Sequence, residues 1–208
     1  MKENTNIRRK RRRDLIEATI AVIAEHGYAG TTVSRVAKQA QVSAGLMNFH
    51  FDGKDMLFQA VFEHLDAEFE AVWREHLAAV DDDPAARLEA MVEAYFDRRI
   101  LTAEKLPVWF TFWADAALRD RYRAAATRVE LRYSKELAAE IKRLLAAPPQ
   151  AVPKSQLMRR TRDIAAPLIA MIDGYWLQAI LNPGRFSHRA AIQDCLNFVQ
   201  ACLARDRS

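Results

Sequence analysis

Between residues 41 and 54 the chain reads QVSAGLMNFHFDGK. Ser43 can cap a helix, and Ala44 and Gly45 behind it add almost no bulk. A helix start carries outward-facing N–H groups, so one this bare lets an anionic backbone come close. One turn later stand Asn48, Phe49 and His50. An asparagine amide matches an adenine edge, and aromatic or imidazole side chains reach base methyls or phosphates. A second set of candidates is aromatic and acidic: Tyr95, Asp97, Trp109, Phe112, Trp113, Asp173 and Trp176. Trp109 and Trp113 are four apart and share a helix face, and Asp173 lies in an apolar run three residues before Trp176. Aromatic faces with a carboxylate suit a quaternary ammonium, which offers cation–π attraction and no hydrogen-bond donor. The same features also describe a helical core, in which a buried acid bonds an arginine or a neighbouring helix.

The elements that must position these residues are helical. Half of the 208 residues are hydrophobic, with six Gly and seven Pro, and no stretch alternates apolar and polar residues. The pattern predicts an all-α protein of about nine helices. A basic arm, residues 1–13, runs into a helix that starts at Asp14 and stops near Gly27. Thr32 caps a short helix with Val33, Val36 and Ala37 inside, and Ser43 caps the next, with Leu46, Met47 and Phe51 free to pack. Two short helices crossing steeply need a small residue and an apolar lock, which Ala37 and Met47 supply. This is the layout of a helix-turn-helix, with residues 43–50 as the recognition helix. A long helix follows, striped by Leu57, Val61, Leu65, Phe69, Val72 and Leu77. Further helices are expected at about 85–101, from Pro107, at about 119–146, at about 155–181 with a kink at Pro167, and at about 187–204. The functional division falls at residues 1–54 for the arm and helix-turn-helix, and 55–208 for a larger helical domain.

Charge follows that division. Residues 1–54 hold ten Lys/Arg against five Asp/Glu, whereas the rest of the chain holds 21 against 22. The positive field therefore belongs to the N-terminal quarter, where a polyanion would be met. No uninterrupted apolar run approaches 18 residues and no signal-peptide core opens the chain, so the expectation is a cytoplasmic protein with no membrane partner. Cys195 and Cys202 are seven apart on one helix, too far for a disulfide. Catalysis is not expected: there is no zinc-spaced His/Cys set, no G-x-S-x-G and no Gly-rich phosphate loop. His26, His50, His64, His76 and His188 are scattered, and no metal or cofactor is expected.

The stretch TTVSRVAKQAQVSAGLMNFHFDGKDML resembles the DNA-binding signature of the TetR family of transcriptional regulators. The likeness covers about residues 10–60. It implies that Lys54 holds a phosphate, that Arg35 with the caps Thr32 and Ser43 fixes the register, and that the arm, through Arg11 and Arg12, reaches the flanking minor groove or backbone. Two positions depart from the family pattern. Gln41 stands where glycine is usual, at a cost of about 1 kcal/mol if that residue needs positive φ. Asn48 stands where tyrosine is frequent, which leaves the operator sequence open.

FDRRILTAEKLPVWFTFWADAALRDRYRAAATRVELRYSKEL and LIAMIDGYWLQAIL are similar to the C-terminal domain of choline-responsive repressors of the glycine-betaine pathway. That resemblance implies release from DNA by choline and control of choline uptake or glycine betaine synthesis. It requires Asp97, Asp115 or Asp173 to face the cavity. It also implies a homodimer built on the last two helices, through Leu168, Ile172, Ile180, Ile192, Leu196, Val199 and Leu203. A dimer would space two recognition helices about 34–36 Å apart on a palindromic operator. The alternatives are a TetR-type regulator sensing another aromatic or hydrophobic ligand, and a helical protein that binds nucleic acid or a membrane surface non-specifically through the arm.

Overall fold

The computed structural model describes the backbone of residues 2–114, 116–148 and 151–204, and side chains of residues 6–113, 131–148 and 151–204. Among the described residues there are nine helices and no strand, as an all-α chain requires. They are α1 (Lys2–Gly30), α2 (Val33–Gln39), α3 (Ala44–His50), α4 (Gly53–Ala78), α5 (Pro84–Tyr95), α6 (Lys105–Ala114), α7 (Ala116–Ala146), α8 (Lys154–Leu181) and α9 (His188–Ala204).

Local chemistry explains the boundaries. The basic stretch is not an arm ahead of a helix, because α1 begins at Lys2 and carries Arg8–Arg13 within it. Lys and Arg are good helix formers, and Arg11–Asp14 and Arg13–Glu17 pair along the helix at 3.6 Å each. Gly27 breaks α1 at φ 68°, ψ 176°, a conformation essentially reserved for glycine. α5 stops at Tyr95, short of the expected 101. There Asp97 Oδ1 accepts from the Arg99 backbone N–H at 2.8 Å, a local turn that competes with the helical ladder. α6 starts two residues before Pro107, where the Thr102 hydroxyl accepts from the Lys105 N–H at 3.1 Å.

Contacts divide the chain into two compact units: Met1–Glu68 with Thr102–Ala126, and Phe69–Leu101 with Thr127–Ser208. This cut differs from the functional division at 54/55, because Asp55–Glu68 and Thr102–Ala126 fall with the first unit. The first unit packs α1 against α2 and α6. Its core holds Leu15, Ile16, Ile23, Val36, Met47, Phe51, Leu57, Phe58, Val61 and Phe62, with Leu106, Trp109 and Phe112 from α6. The second packs α9 against α5 and α8. Phe69, Trp73, Leu88, Met91, Tyr133, Leu137, Ile141, Leu168, Ile172, Trp176, Cys195 and Val199 are buried in it. Each such large apolar side chain contributes roughly 1.5–3 kcal/mol. Cys195 and Cys202 are both free, and burial pushes the Cys195 thiol up to about 12. By length and composition α8 is apolar enough to cross a membrane, yet only 33% of its most apolar window is buried inside the chain.

Candidate functional site

The N-terminal candidates assemble as a capped helix-turn-helix. The Thr32 hydroxyl accepts from the Arg35 N–H and the Ser43 hydroxyl from the Leu46 N–H, each at 3.2 Å. Both caps were legible because capping is local. Ala37 and Met47 are buried where α2 meets α3. The turn closes through Gln41 N–H to the Lys38 carbonyl at 3.1 Å and Val42 N–H to the Ala37 carbonyl at 2.9 Å. Gln41 has φ 55°, the left-handed conformation that glycine would take without strain.

Ser43, Ala44, Gly45, Asn48 and Phe49 are exposed along α3, and His50 is half-buried. A Cβ added at Gly45 would find its nearest neighbour, Ser43 Oγ, at 3.9 Å, so the chain itself leaves that space open. Burial, then Arg8 and Arg12, lowers the His50 pKa, so its ring is mostly neutral at pH 7. Arg8 lies 5.3 Å from the Phe49 ring centroid and Arg12 4.9 Å from that of Phe51. Arg35 donates to the Gly30 carbonyl, which ties α2 to the end of α1. Lys54 is also anchored: Nζ donates to the Tyr28 carbonyl at 2.9 Å and sits 3.9 Å from the Tyr28 ring centroid. Burial lowers its pKa. Its ammonium serves the chain first, with further N–H groups available for a phosphate.

The C-terminal candidates are divided between the two compact units. Trp109 and Phe112 are buried in the first unit, 5.8 and 5.1 Å from the Phe62 ring centroid, and Trp113 is 38% exposed beside Trp109. Tyr95 and Trp176 lie in the second unit with three residues not expected at a ligand site: Phe69, expected only in the apolar stripe of α4, and Trp73 and Tyr133. Phe69 stands 5.4 Å from Tyr95, 4.5 Å from Tyr133 and 6.3 Å from Trp176; Trp73 stands 5.4 Å from Tyr95 and 4.9 Å from Tyr133. α4, α5, α7 and α8 thus deliver five rings to one cluster. The four-residue spacing of Phe69 and Trp73, and Tyr133 within the RYS segment, were the available signals.

Polar ring atoms in the cluster are tied to the scaffold. Trp73 Nε1 donates to Glu136 at 2.9 Å, Trp176 Nε1 to the Tyr95 carbonyl at 3.0 Å, and the Tyr133 hydroxyl to Glu70 at 3.1 Å. Arg74 bridges Glu70 and Glu136 at 2.7 and 2.8 Å, and Arg132 pairs with Glu70 at 3.2 Å. Burial raises the Glu70 pKa, but bonds from Arg74 and Tyr133 and the Arg132 charge outweigh it, leaving a net decrease.

The acids correct the sequence reading. Asp97 is not an open ligand for a cation. Its carboxylate meets the Arg99 guanidinium at 2.8 Å and His76 Nε2 at 3.1 Å, and the Arg99 bond foremost holds its pKa far below the usual carboxylate range. Asp173 lies on the exposed face of α8 while Trp176 is buried, and Asp115 falls outside the described residues. The dimer candidates also divide. Leu168, Ile172 and Val199 are buried by their own chain, whereas Ile180, Ile192, Leu196 and Leu203 remain partly exposed. α8 is apolar on two faces, and helical spacing alone did not tell the inner from the outer.

A helix-turn-helix with an exposed, capped second helix in a basic N-terminal segment, joined in one chain to a larger helical region, defines a DNA-binding transcriptional regulator. The description of bacterial regulatory proteins of the tetR family matches residues 15–61, and that of the C-terminal part of BetI-type transcriptional repressors matches residues 84–204. The chain belongs to the TetR family and carries a BetI-type C-terminal domain. Its relatives include an HTH-type transcriptional regulator BetI from Burkholderia thailandensis, 34% identical over 95% of this chain and 96% of the relative. A crystal structure of a transcriptional regulator from Pseudomonas aeruginosa PAO1 is 28% identical with a TM-score of 0.76, covering 94% of this chain and 91% of that one. A regulator from Saccharomonospora viridis, solved in complex with choline, is 22% identical with a TM-score of 0.71 over 91% and 95% of the two chains. The family regulates transcription and is not enzymatic.

Proposed function

We propose that this regulator is a homodimeric repressor of a palindromic operator, released by choline or a related quaternary ammonium, and that it controls choline uptake or glycine betaine synthesis. The observation that carries the effector reading is the five-ring cluster of Phe69, Trp73, Tyr95, Tyr133 and Trp176. Ring faces attract a cation that forms no hydrogen bonds. The relatives' BetI names and the choline bound to a structural neighbour support the same chemistry. For the dimer, support comes from the apolar window of α8 that its own chain leaves uncovered, with Leu177 and Leu181 exposed. Ile180, Ile192, Leu196 and Leu203 extend that surface; operator reading is assigned to Ser43, Ala44, Gly45, Asn48 and His50. A ligand can change DNA affinity only through its differential affinity for the two states.

A second reading has its own observation. Asp97, Glu70 and Glu136 are all engaged by arginines, which favours an uncharged aromatic or apolar effector. The melting temperature decides between them, measured with choline and with the isostere in which carbon replaces the ammonium nitrogen. At one hundred times its dissociation constant a ligand adds about 2.7 kcal/mol. A rise with choline alone, abolished by Tyr95→Leu and retained in Trp113→Leu, supports the cation reading. A rise with both compounds favours the apolar effector, and no rise with either sinks both for these compounds.

A further inference from the structure

Phe49 has no evident structural duty. It is 66% exposed on α3, beside the face on which Ser43, Gly45 and Asn48 lie open. A large bare aromatic at such a place invites assignment as a base reader. Its surroundings indicate otherwise. Arg8 and Arg12 are four apart on α1 and therefore share a face. Each guanidinium lies over a ring at the far end of α3, Arg8 at 5.3 Å from Phe49 and Arg12 at 4.9 Å from Phe51. Phe49 is itself held edge-on by His50, at 5.4 Å between centroids. Burial first, and then the charges of Arg8 and Arg12, lower the His50 pKa. Their neighbours Arg11 and Arg13 lie instead against Asp14 and Glu17. Within this part of α1, Arg11 and Arg13 thus lie beside carboxylates whereas Arg8 and Arg12 stack on rings, where stacking holds the group in place and leaves its positive charge for a phosphate.

We propose that Phe49 is a positioning residue: with Phe51 it clamps Arg8 and Arg12, so that the first turns of α1 extend the recognition helix as one electropositive surface that grips backbone phosphates flanking the half-site. The clamp joins two segments far apart in sequence, and its geometry is fixed before DNA arrives. Arg8 becomes a phosphate contact, and Phe49 acts through it rather than on a base. Phosphate contacts carry no sequence preference, and each one formed steepens the salt dependence of binding.

The test uses the full chain, a random-sequence 30-base-pair duplex, and affinities measured across a potassium chloride series. Arg8→Ala and Phe49→Leu should each flatten the slope of log affinity against log salt by about one per protomer, since each neutralised phosphate contributes about 0.9. The double variant should lose no more than either single one, and Phe49→Tyr should restore the wild-type slope. Unfolding in urea checks that Phe49→Leu is folded; so exposed a residue should leave the midpoint unchanged. The proposal is overturned if Phe49→Leu keeps the full slope, if the two losses add independently, or if Phe49→Tyr fails to rescue.

Discussion

Trp73 donates its indole N–H to Glu136 across 2.9 Å, and that bond joins α4 to α7 beneath the Arg74 guanidinium, which reaches the same carboxylate. Trp73 is fully buried, so its N–H has no water to return to. Trp73→Phe should lower stability by about 1–3 kcal/mol, from the lost bond and the vacated volume together. Glu136→Gln keeps an acceptor oxygen and should cost less. Urea unfolding of both and of the double variant, at one protein concentration, measures the coupling. Additive losses would show that the bond carries no energy of its own.

Gly45→Ala should separate folding from binding. The added methyl meets nothing of the chain nearer than 3.9 Å and sits in a helix, where alanine is preferred by up to about 1 kcal/mol. The melting temperature should hold or rise, while affinity for operator DNA, read by fluorescence anisotropy, falls at least about tenfold because only the duplex meets the methyl. Unchanged affinity would remove Gly45 from the DNA surface.

At position 41 the expected order of stability is glycine, then asparagine, then the native glutamine, then valine. Gln41 sits at φ 55°, where a β-branched residue is worst placed. Gln41→Gly should gain up to about 1 kcal/mol, the left-handed penalty less the entropy glycine loses on folding. A loss on Gln41→Gly would mean that the glutamine side chain contributes a contact worth more than the strain.

Asn48→Ala and Lys54→Met should differ in kind. Asn48 is exposed, so its loss should leave unfolding untouched and relax base preference at one position per half-site by about 1–3 kcal/mol. Lys54→Met removes the donor to the Tyr28 carbonyl and should lower the unfolding midpoint as well as weaken all sequences alike. An unaltered midpoint for Lys54→Met would reduce Lys54 to a phosphate contact.

Asp97 predicts an acid-sensitive contribution. Its folded-state pKa is depressed, first by the Arg99 bond, so the folded state releases this proton more readily than the unfolded chain does. The stabilisation is present above the unfolded carboxylate value, near 3.9, and is lost as pH falls through the lower folded value. Asp97→Asn should cost about 1–2 kcal/mol at pH 7, and the deficit should narrow below about pH 4. A deficit constant from pH 7 to 2 would assign the effect to packing.

What the sequence disclosed was local in origin. Thr32 and Ser43 could be read as caps, Gly27 as a stop and Gln41 as a glycine position, because each answers to neighbours within a few residues. The regular apolar stripe of α4 was equally readable, from Leu57 to Leu77. The ring cluster was not, since Tyr95, Tyr133 and Trp176 meet Phe69 and Trp73 only once four helices have packed. Trp109 and Phe112 pack against Phe62, a partner some fifty residues away that aromatic density along the chain did not point to. Asp97 misled for a related reason: its partners His76 and Arg99 lie one in another helix and one in the turn that it builds itself.

The four tryptophans are shared evenly between the two compact units, Trp109 and Trp113 in the first, Trp73 and Trp176 in the second. Three of them are buried, and Trp113 alone is open to solvent. A collisional quencher such as iodide should therefore extinguish one emitter and spare three. Light that survives quenching comes largely from indoles embedded in protein, two of them in the ring cluster, with their N–H groups bonded to a carboxylate and a carbonyl. The chain carries its own optical gauge, in which a rearrangement of the second unit registers as a shift of the protected emission with no label attached.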